Sequence, residues 1–196
     1  DNAWSGGAAN HDEGAEGSFT ARRAAAIRAY HEWLPTRLPD PADPLKIYRS
    51  FDFGNLASLH MLDTRLIGRD QQVTLDQYLS GLADGPSRQL LGATQSDWLS
   101  ARMATSGATW QVLGQQVLMA RMHIPLSVAS PTTPQTLAES TAALATPEAL
   151  RSDSQRALLA QRRVPYNLDA WDGYPAARET VLAAARTQGK NLISLA

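Results

Sequence analysis

A layered α/β (α+β) domain is the fold class that this 196-residue sequence predicts. Three observations carry it. Apolar runs of strand length alternate with stretches of helical periodicity, as in layered folds. Two strand-like runs flank a Gly54-Asn55 turn and read as a hairpin. The last 23 residues read as a helix, a glycine stop and a strand (Tyr174 to Gln188, Gly189, Asn191 to Ala196).

Taken in order, the opening DNAWSGGAANHDEGAEGS is rich in Gly, Asn and acidic residues and reads as loop. A helix is expected from Phe19 to Leu34, with Ala26, Tyr30, Trp33 and Leu34 as an apolar stripe and Pro35 as its stop. Four prolines between Pro35 and Pro44 exclude regular structure there. Leu45 to Phe53 forms the first hairpin strand, with Ile47, Phe51 and Phe53 on one face. Leu56 to Asp63 forms the second, more buried one. A short helix is expected within Gln71 to Asp84. Another should run to Met103, capped by Thr94 and Asp97. Trp110 to Met122 reads as a buried strand bulged or kinked at Gly114. From Ser127 to Gln161, Ser, Thr, Pro, Gln and Ala dominate. Pro134 and Pro147 are placed to start two amphipathic helices, a helical excursion from the core. The final strand is expected to be buried, and Trp33, Trp98 and Trp110 to lie in the core.

Composition narrows the chemistry. Lys and Arg number 18 against 19 Asp and Glu, and no basic run offers a footprint for nucleic acid. No apolar run is long enough to span a membrane. The absence of cysteine excludes disulfides, thiol nucleophiles and thiolate metal sites. No signal peptide is visible, and the chain reads like the interior of a larger protein.

Few polar residues then merit attention. None of the histidines His11, His31, His60 and His123 pairs at metal-binding spacing on one element. His31 and His60 read as structural, whereas His11 lies in the polar opening loop and suits either role. Asp63-Thr64-Arg65 closes the second hairpin strand, where side chains project into the layer in which sites form. Arg65 could hold a phosphate or carboxylate as a two-pronged donor, or join Asp63 in a surface ion pair, as Arg69 could join Asp70. Asn167 to Pro175 gathers Asp169, Asp172, Trp171 and Tyr174 around Gly173. Asp172 there either caps the following helix or faces a ligand.

Six stretches in register carry a resemblance. They are Ala3 to His11, Glu16 to Arg37, Ile47 to Arg65, Leu90 to Leu99, Trp110 to Met119 and Asn167 to Arg178. The sequence resembles the PhoD family of alkaline phosphatases, within the calcineurin-like metallophosphoesterases. The resemblance implies a segment, residues 1–196, of a metallophosphatase β-sandwich flanked by helices, with the 127–161 excursion as a cap or insertion. It implies phosphoester hydrolysis by a metal-activated hydroxide, calcium and iron as metals, a phosphate ester substrate and a periplasmic or secreted parent. The family's Trp-Asp-Asp-His-Glu and Gly-Asp-x-His stretches are absent from the segment, so the segment alone should be inactive. Family members place a ligand Asn three residues before the Trp matching Trp4, a position held here by Asp1 with Asn2 beside it. The expected site residues are thus Arg65 and Asp172 for catalysis, His11, Arg65 and Tyr174 toward substrate, and Asp1 and Asn2 on metal. A non-catalytic interaction or regulatory domain is the rival reading.

Overall fold

The computed structural model describes residues 3–130 and 135–196. Asp1, Asn2 and Pro134 lie outside the described residues. Two short strands, β1 (Ala3–Trp4) and β2 (Gly7–Ala8), pair as a small ribbon. One helical turn, α1 (Glu13–Glu16), and the helix α2 (Phe19–Trp33) follow. The hairpin strands are β3 (Arg49–Phe53) and β4 (Ala57–Met61), and β4 is the more buried, as expected. The expected Gln71–Asp84 helix divides at Gly81 into α3 (Leu75–Leu79) and a 3-10 turn (Leu82–Asp84).

Helix α4 (Ala93–Thr105) leads into β5 (Trp110–Gly114). The excursion then begins. A strand β6 (His123–Pro125) runs into a single turn α5 (Leu126–Ala129). Helices α6 (Leu137–Ala145) and α7 (Asp153–Leu159) pack on each other before β7 (Arg163–Pro165) returns to pair with β6. Last come a 3-10 turn (Trp171–Gly173), α8 (Pro175–Thr187) and β8 (Asn191–Leu195). The protein is thus a mixed α/β structure.

Strands β3, β4, β5 and β8 form one sheet in that order, antiparallel at the hairpin and parallel from β4 through β8. Alternation along each strand separates two faces. On one, His60, Gln111 and Leu113 lie beneath α4 and α8, which contribute Leu99, Met103, Val181 and Ala185 to the core. Trp171, Tyr174, Leu90 and Leu91 close that core at the end of the sheet to which the parallel strands run.

The opposite face is apolar yet open. Register aligns Phe51, Leu59, Val112 and Ile193 across it, and beside them Phe53, Ala57, Trp110 and Asn191. Phe53 remains 59% exposed and Leu195 56%. This overturns two expectations. Strand β8 is an exposed edge rather than a buried strand, and Trp110 is on the open face rather than in the core. Trp33 is likewise 85% exposed, because Ile27 is the only buried residue of α2. Trp98 does pack against the core.

Other departures have local causes. Helix α4 begins after Gly92 with no side-chain cap, so Thr94 and Asp97 are already inside it. Gly92 and Gly68, both at positive φ, touch backbone to backbone. A Cβ on Gly68 would stand 2.5 Å from the Gly92 Cα. The 110–122 strand ends at Gly114 rather than kinking there; a Cβ at Gly114 would meet the Met61 sulfur at 2.6 Å. Pro147 precedes a 3-10 turn, Glu148–Leu150, and not a helix. The two excursion helices start instead at capping boxes, Thr136 with Glu139 and Ser152 with Gln155.

Candidate functional site

The loops after the parallel strands bring the polar residues together. Where β4 ends, Gln95 of α4 clamps the Asp63 backbone, accepting from its N–H at 2.8 Å and donating to its carbonyl at 2.7 Å. Gln116, just beyond β5, does the same for its neighbours, accepting from the Thr64 hydroxyl (2.6 Å) and donating to the Leu62 carbonyl (2.8 Å). The chain therefore leaves the sheet in a fixed direction. Asp63 then holds the turn itself: its Oδ1 accepts from the N–H groups of Arg65 (2.7 Å) and Leu66 (3.0 Å). Its Oδ2 is buried without a partner among the described residues, and burial pushes the carboxyl above its ordinary pKa.

Two guanidinium groups meet on one carboxylate. Arg65 grips Asp169 with both prongs, Nη1 donating to Oδ1 at 2.7 Å and Nη2 to Oδ2. Arg69 donates to the same Oδ1 at 2.6 Å, to the Asp169 carbonyl at 2.7 Å and to the Thr64 carbonyl at 2.9 Å. Arg69 is almost wholly buried, while Arg65 keeps one side toward solvent. Two cations on one anion leave the clasp with a surplus positive charge.

Tyr174 lies beneath it. Its ring faces the Arg69 guanidinium at 4.9 Å and that of Arg88 at 4.8 Å, and its hydroxyl donates to the Asp70 carbonyl at 2.7 Å. Burial raises its pKa, so the phenol stays protonated. The N-terminal ribbon joins the same knot: Ser5 donates through N–H (3.0 Å) and hydroxyl (2.9 Å) to the Arg69 carbonyl, and Arg23 donates to the Ser5 carbonyl at 2.8 Å.

The expected site residues divide accordingly. Arg65 and Tyr174 belong to one cluster, with the hydroxyl of Tyr174 engaged by backbone. Asp172 lies three residues from Asp169 but faces away from helix capping: its Oδ1 accepts from Arg178 at 2.6 Å and its Oδ2 from the Met122 N–H at 2.9 Å. His11 sits within its own loop, its Nε2 at 2.8 Å from the Gly17 carbonyl and its Nδ1 at 3.1 Å from Glu16. The short-range pairs Asp63–Arg65 and Asp70–Arg69 do not form; both arginines turn to Asp169 across about a hundred residues of sequence. Sequence reading overlooked Gln95, Gln116 and the part Arg69 takes, since nothing local distinguishes a glutamine that clamps a backbone from one facing water.

Among the described residues, no three His, Asp or Glu side chains gather closely enough to hold a metal ion. The described residues do not themselves furnish a metal site.

A second polar chain runs beneath α4. The Gln111 amide donates to Ser106 Oγ (2.9 Å) and the Ala108 carbonyl (3.2 Å), so its Oε1 accepts from His60 Nε2 at 2.9 Å. His60 Nδ1 shares a hydrogen bond with the Ser50 hydroxyl at 2.7 Å. Burial lowers the pKa of this imidazole and so favours its neutral form.

The comparisons with known proteins agree with one another. Alkaline phosphatase D of Bacillus subtilis (strain 168) is 35% identical over 179 residues, which are 89% of this chain and 24% of the relative. A solved structure described as that of PhoD superposes with a TM-score of 0.67 at 29% identity, covering 99% of this chain and 31% of its own. The chain thus spans about a quarter of the curated relative, at 24% of its length. No helix among the described residues is long and apolar enough to cross a membrane. The PhoD-like phosphatase profile matches residues 1–196 in full, and the chain belongs to that family.

Proposed function

We propose that this chain is a segment of the catalytic domain of a phosphoester hydrolase. The observation that carries the proposal is the family match over all 196 residues, in a chain whose loops after the parallel strands converge on a cationic cluster. That end of an α/β sheet is where such folds bind ligands. The open apolar face of the sheet supports the reading as a segment, since a face of this kind is normally covered.

In the reaction water adds to phosphorus, the bond from phosphorus to the ester oxygen breaks, and the alcohol leaves with a proton. Arg65 is the described group suited to the phosphoryl oxygens. It is cationic and part-exposed, and its plane is fixed by Asp169. Tyr174 supports Arg69 and thereby the clasp. Asp172 and His11 act at one remove, holding the loop that carries Asp169 and the opening loop. The metal ions implied by the resemblance, calcium and iron, would draw on donors beyond the described residues, Asp1 and Asn2 among them, and would supply an activated hydroxide. An exported parent, periplasmic or secreted, accords with the family.

The test is turnover of p-nitrophenyl phosphate and bis-p-nitrophenyl phosphate by the parent polypeptide, with and without chelator. Metal-dependent hydrolysis is expected from the parent and none from the 196-residue chain alone. A parent inactive on both esters with calcium and iron supplied refutes the proposal and favours an interaction module. In an active parent, Arg65→Lys should lower kcat about 30- to 1000-fold with KM little changed, because a single amine cannot present two coplanar donors.

A further inference from the structure

Residues 62–65 leave β4 in neither helix nor strand, yet every backbone polar group from the Leu62 N–H to the Arg65 N–H has a partner. The Leu62 N–H donates to the Gly114 carbonyl at 2.9 Å, and the Leu62 carbonyl accepts from Gln116. Gln95, 1% exposed, takes both backbone groups of Asp63. The Thr64 N–H donates to Gln116 Oε1 at 3.1 Å, and the Thr64 carbonyl accepts from Arg69. The Arg65 N–H ends the series on Asp63 Oδ1, which also takes the Leu66 N–H. Side chains from α4, from the segment after β5 and from Arg69 thus do for this turn what ladder partners do inside a sheet. The head of Arg65 is fixed too, by both oxygens of Asp169. A long, flexible side chain is thereby held at its root and at its guanidinium.

We propose that Asp63 is a positioning residue for Arg65: through one oxygen it fixes the backbone from which the Arg65 side chain starts, so that the guanidinium is in place before substrate arrives. The proposal rests on the phosphoesterase reading above. Donors set in advance stabilise developing charge because they need no reorganisation at the moment of reaction. A displacement of about 1 Å, even from a change away from the chemistry, loses about 100-fold in rate. The turn draws on a single acceptor oxygen of Asp63, since Oδ2 has no partner among the described residues. An amide oxygen in the same place therefore serves as well as a carboxylate. Gln95 and Gln116 act through the same backbone, one fixing Asp63 and the other Thr64.

The experiment measures kcat and KM of the parent protein for p-nitrophenyl phosphate in Asp63→Ala and Asp63→Asn, each alone and combined with Arg65→Ala. Asp63→Ala should lower kcat about 10- to 100-fold with KM little changed, and Asp63→Asn should restore it to within about threefold of wild type. Combined with Arg65→Ala, Asp63→Ala should lower kcat by no more than about twofold further, because a residue that acts through Arg65 then has nothing left to place. Losses that multiply in the double variant overturn the proposal, since they are what a merely structural Asp63 gives. An Asp63→Asn variant as impaired as Asp63→Ala overturns it as well. Melting temperatures show that each variant is folded at the assay temperature. Should Asp63→Ala not fold, Gln116→Ala at the exposed Gln116 takes its place, with a loss of about threefold or more that again vanishes beside Arg65→Ala. An unimpaired Gln116→Ala then overturns the proposal. An Arg65→Ala parent as active as wild type overturns the phosphoryl role of Arg65 itself. An impaired Arg65→Ala beside a normal Asp63→Ala overturns the positioning alone, which separates the two failures.

Discussion

Removing Asp169 should cost far more stability than removing the arginine it holds. In Asp169→Ala two guanidinium groups lose their common counter-charge, and Arg69 cannot reach water because it is 1% exposed. Leaving a buried charge uncompensated costs about 3–5 kcal/mol. Arg69 keeps the carbonyls of Thr64 and Asp169 as acceptors and the ring of Tyr174 beneath it, which places the expected loss near the lower end, about 3 kcal/mol. Arg65→Ala differs: Asp169 still pairs with Arg69, and the lost partner was part-exposed, so about 1 kcal/mol is expected. For a chain of this size the two correspond to falls in Tm of about 6–12 °C and about 2–4 °C. Urea titration followed by tryptophan fluorescence, to which the buried Trp171 two residues from Asp169 contributes, reads the difference. Equal losses, or a larger one for Arg65→Ala, would refute the account of one carboxylate neutralising two cations.

Three other perturbations have signs fixed by the structure. His60 is neutral when folded and its pKa is lowered by burial, so the stability it confers is present above its unfolded pKa and lost as pH falls through the folded one. The wild type should therefore lose stability more steeply than His60→Gln as pH falls below the ordinary histidine range, and parallel profiles would dispose of the idea. Asp63 has the opposite sign: its raised pKa means stability present at acid pH and lost as pH rises through the folded value. Asp63→Asn keeps an oxygen for the Arg65 and Leu66 N–H groups and removes a buried charge. At neutral pH it should be at least as stable as wild type, and a clear loss in calorimetry would show that Oδ2 has a cationic partner. Finally, a Cβ on Gly173 would stand 2.0 Å from the Leu168 carbonyl oxygen, so Gly173→Ala must open the loop that carries Asp169. A loss of about 2–3 kcal/mol by denaturant titration is expected, and a neutral effect would mean that the 168–173 turn yields.

What could be read from the sequence follows the range of the forces involved. Helix α2, the Gly54-Asn55 hairpin and the terminal helix–glycine–strand unit are written in local periodicity and turn chemistry, and they appear within a few residues of expectation. The capping of α4 was misread because Thr94 and Asp97 make a plausible local signal, whereas Gly92 is selected by a contact with Gly68 across more than twenty residues. The same distinction governs the site. Arg65 stands out as an arginine at a strand end, but its partner Asp169 lies 104 positions away and no spacing rule connects them. The exposed tryptophans are instructive in another way. Trp33 and Trp110 read as core because large aromatics are normally buried, and that rule concerns a whole domain. An apolar residue aligned with the sheet's other apolar residues, as Trp110 is with Phe53 and Ala57, is placed correctly for burial even where no described element covers it. The open face of the β3–β4–β5–β8 sheet is thus a core face in its sequence and an exposed surface among the described residues.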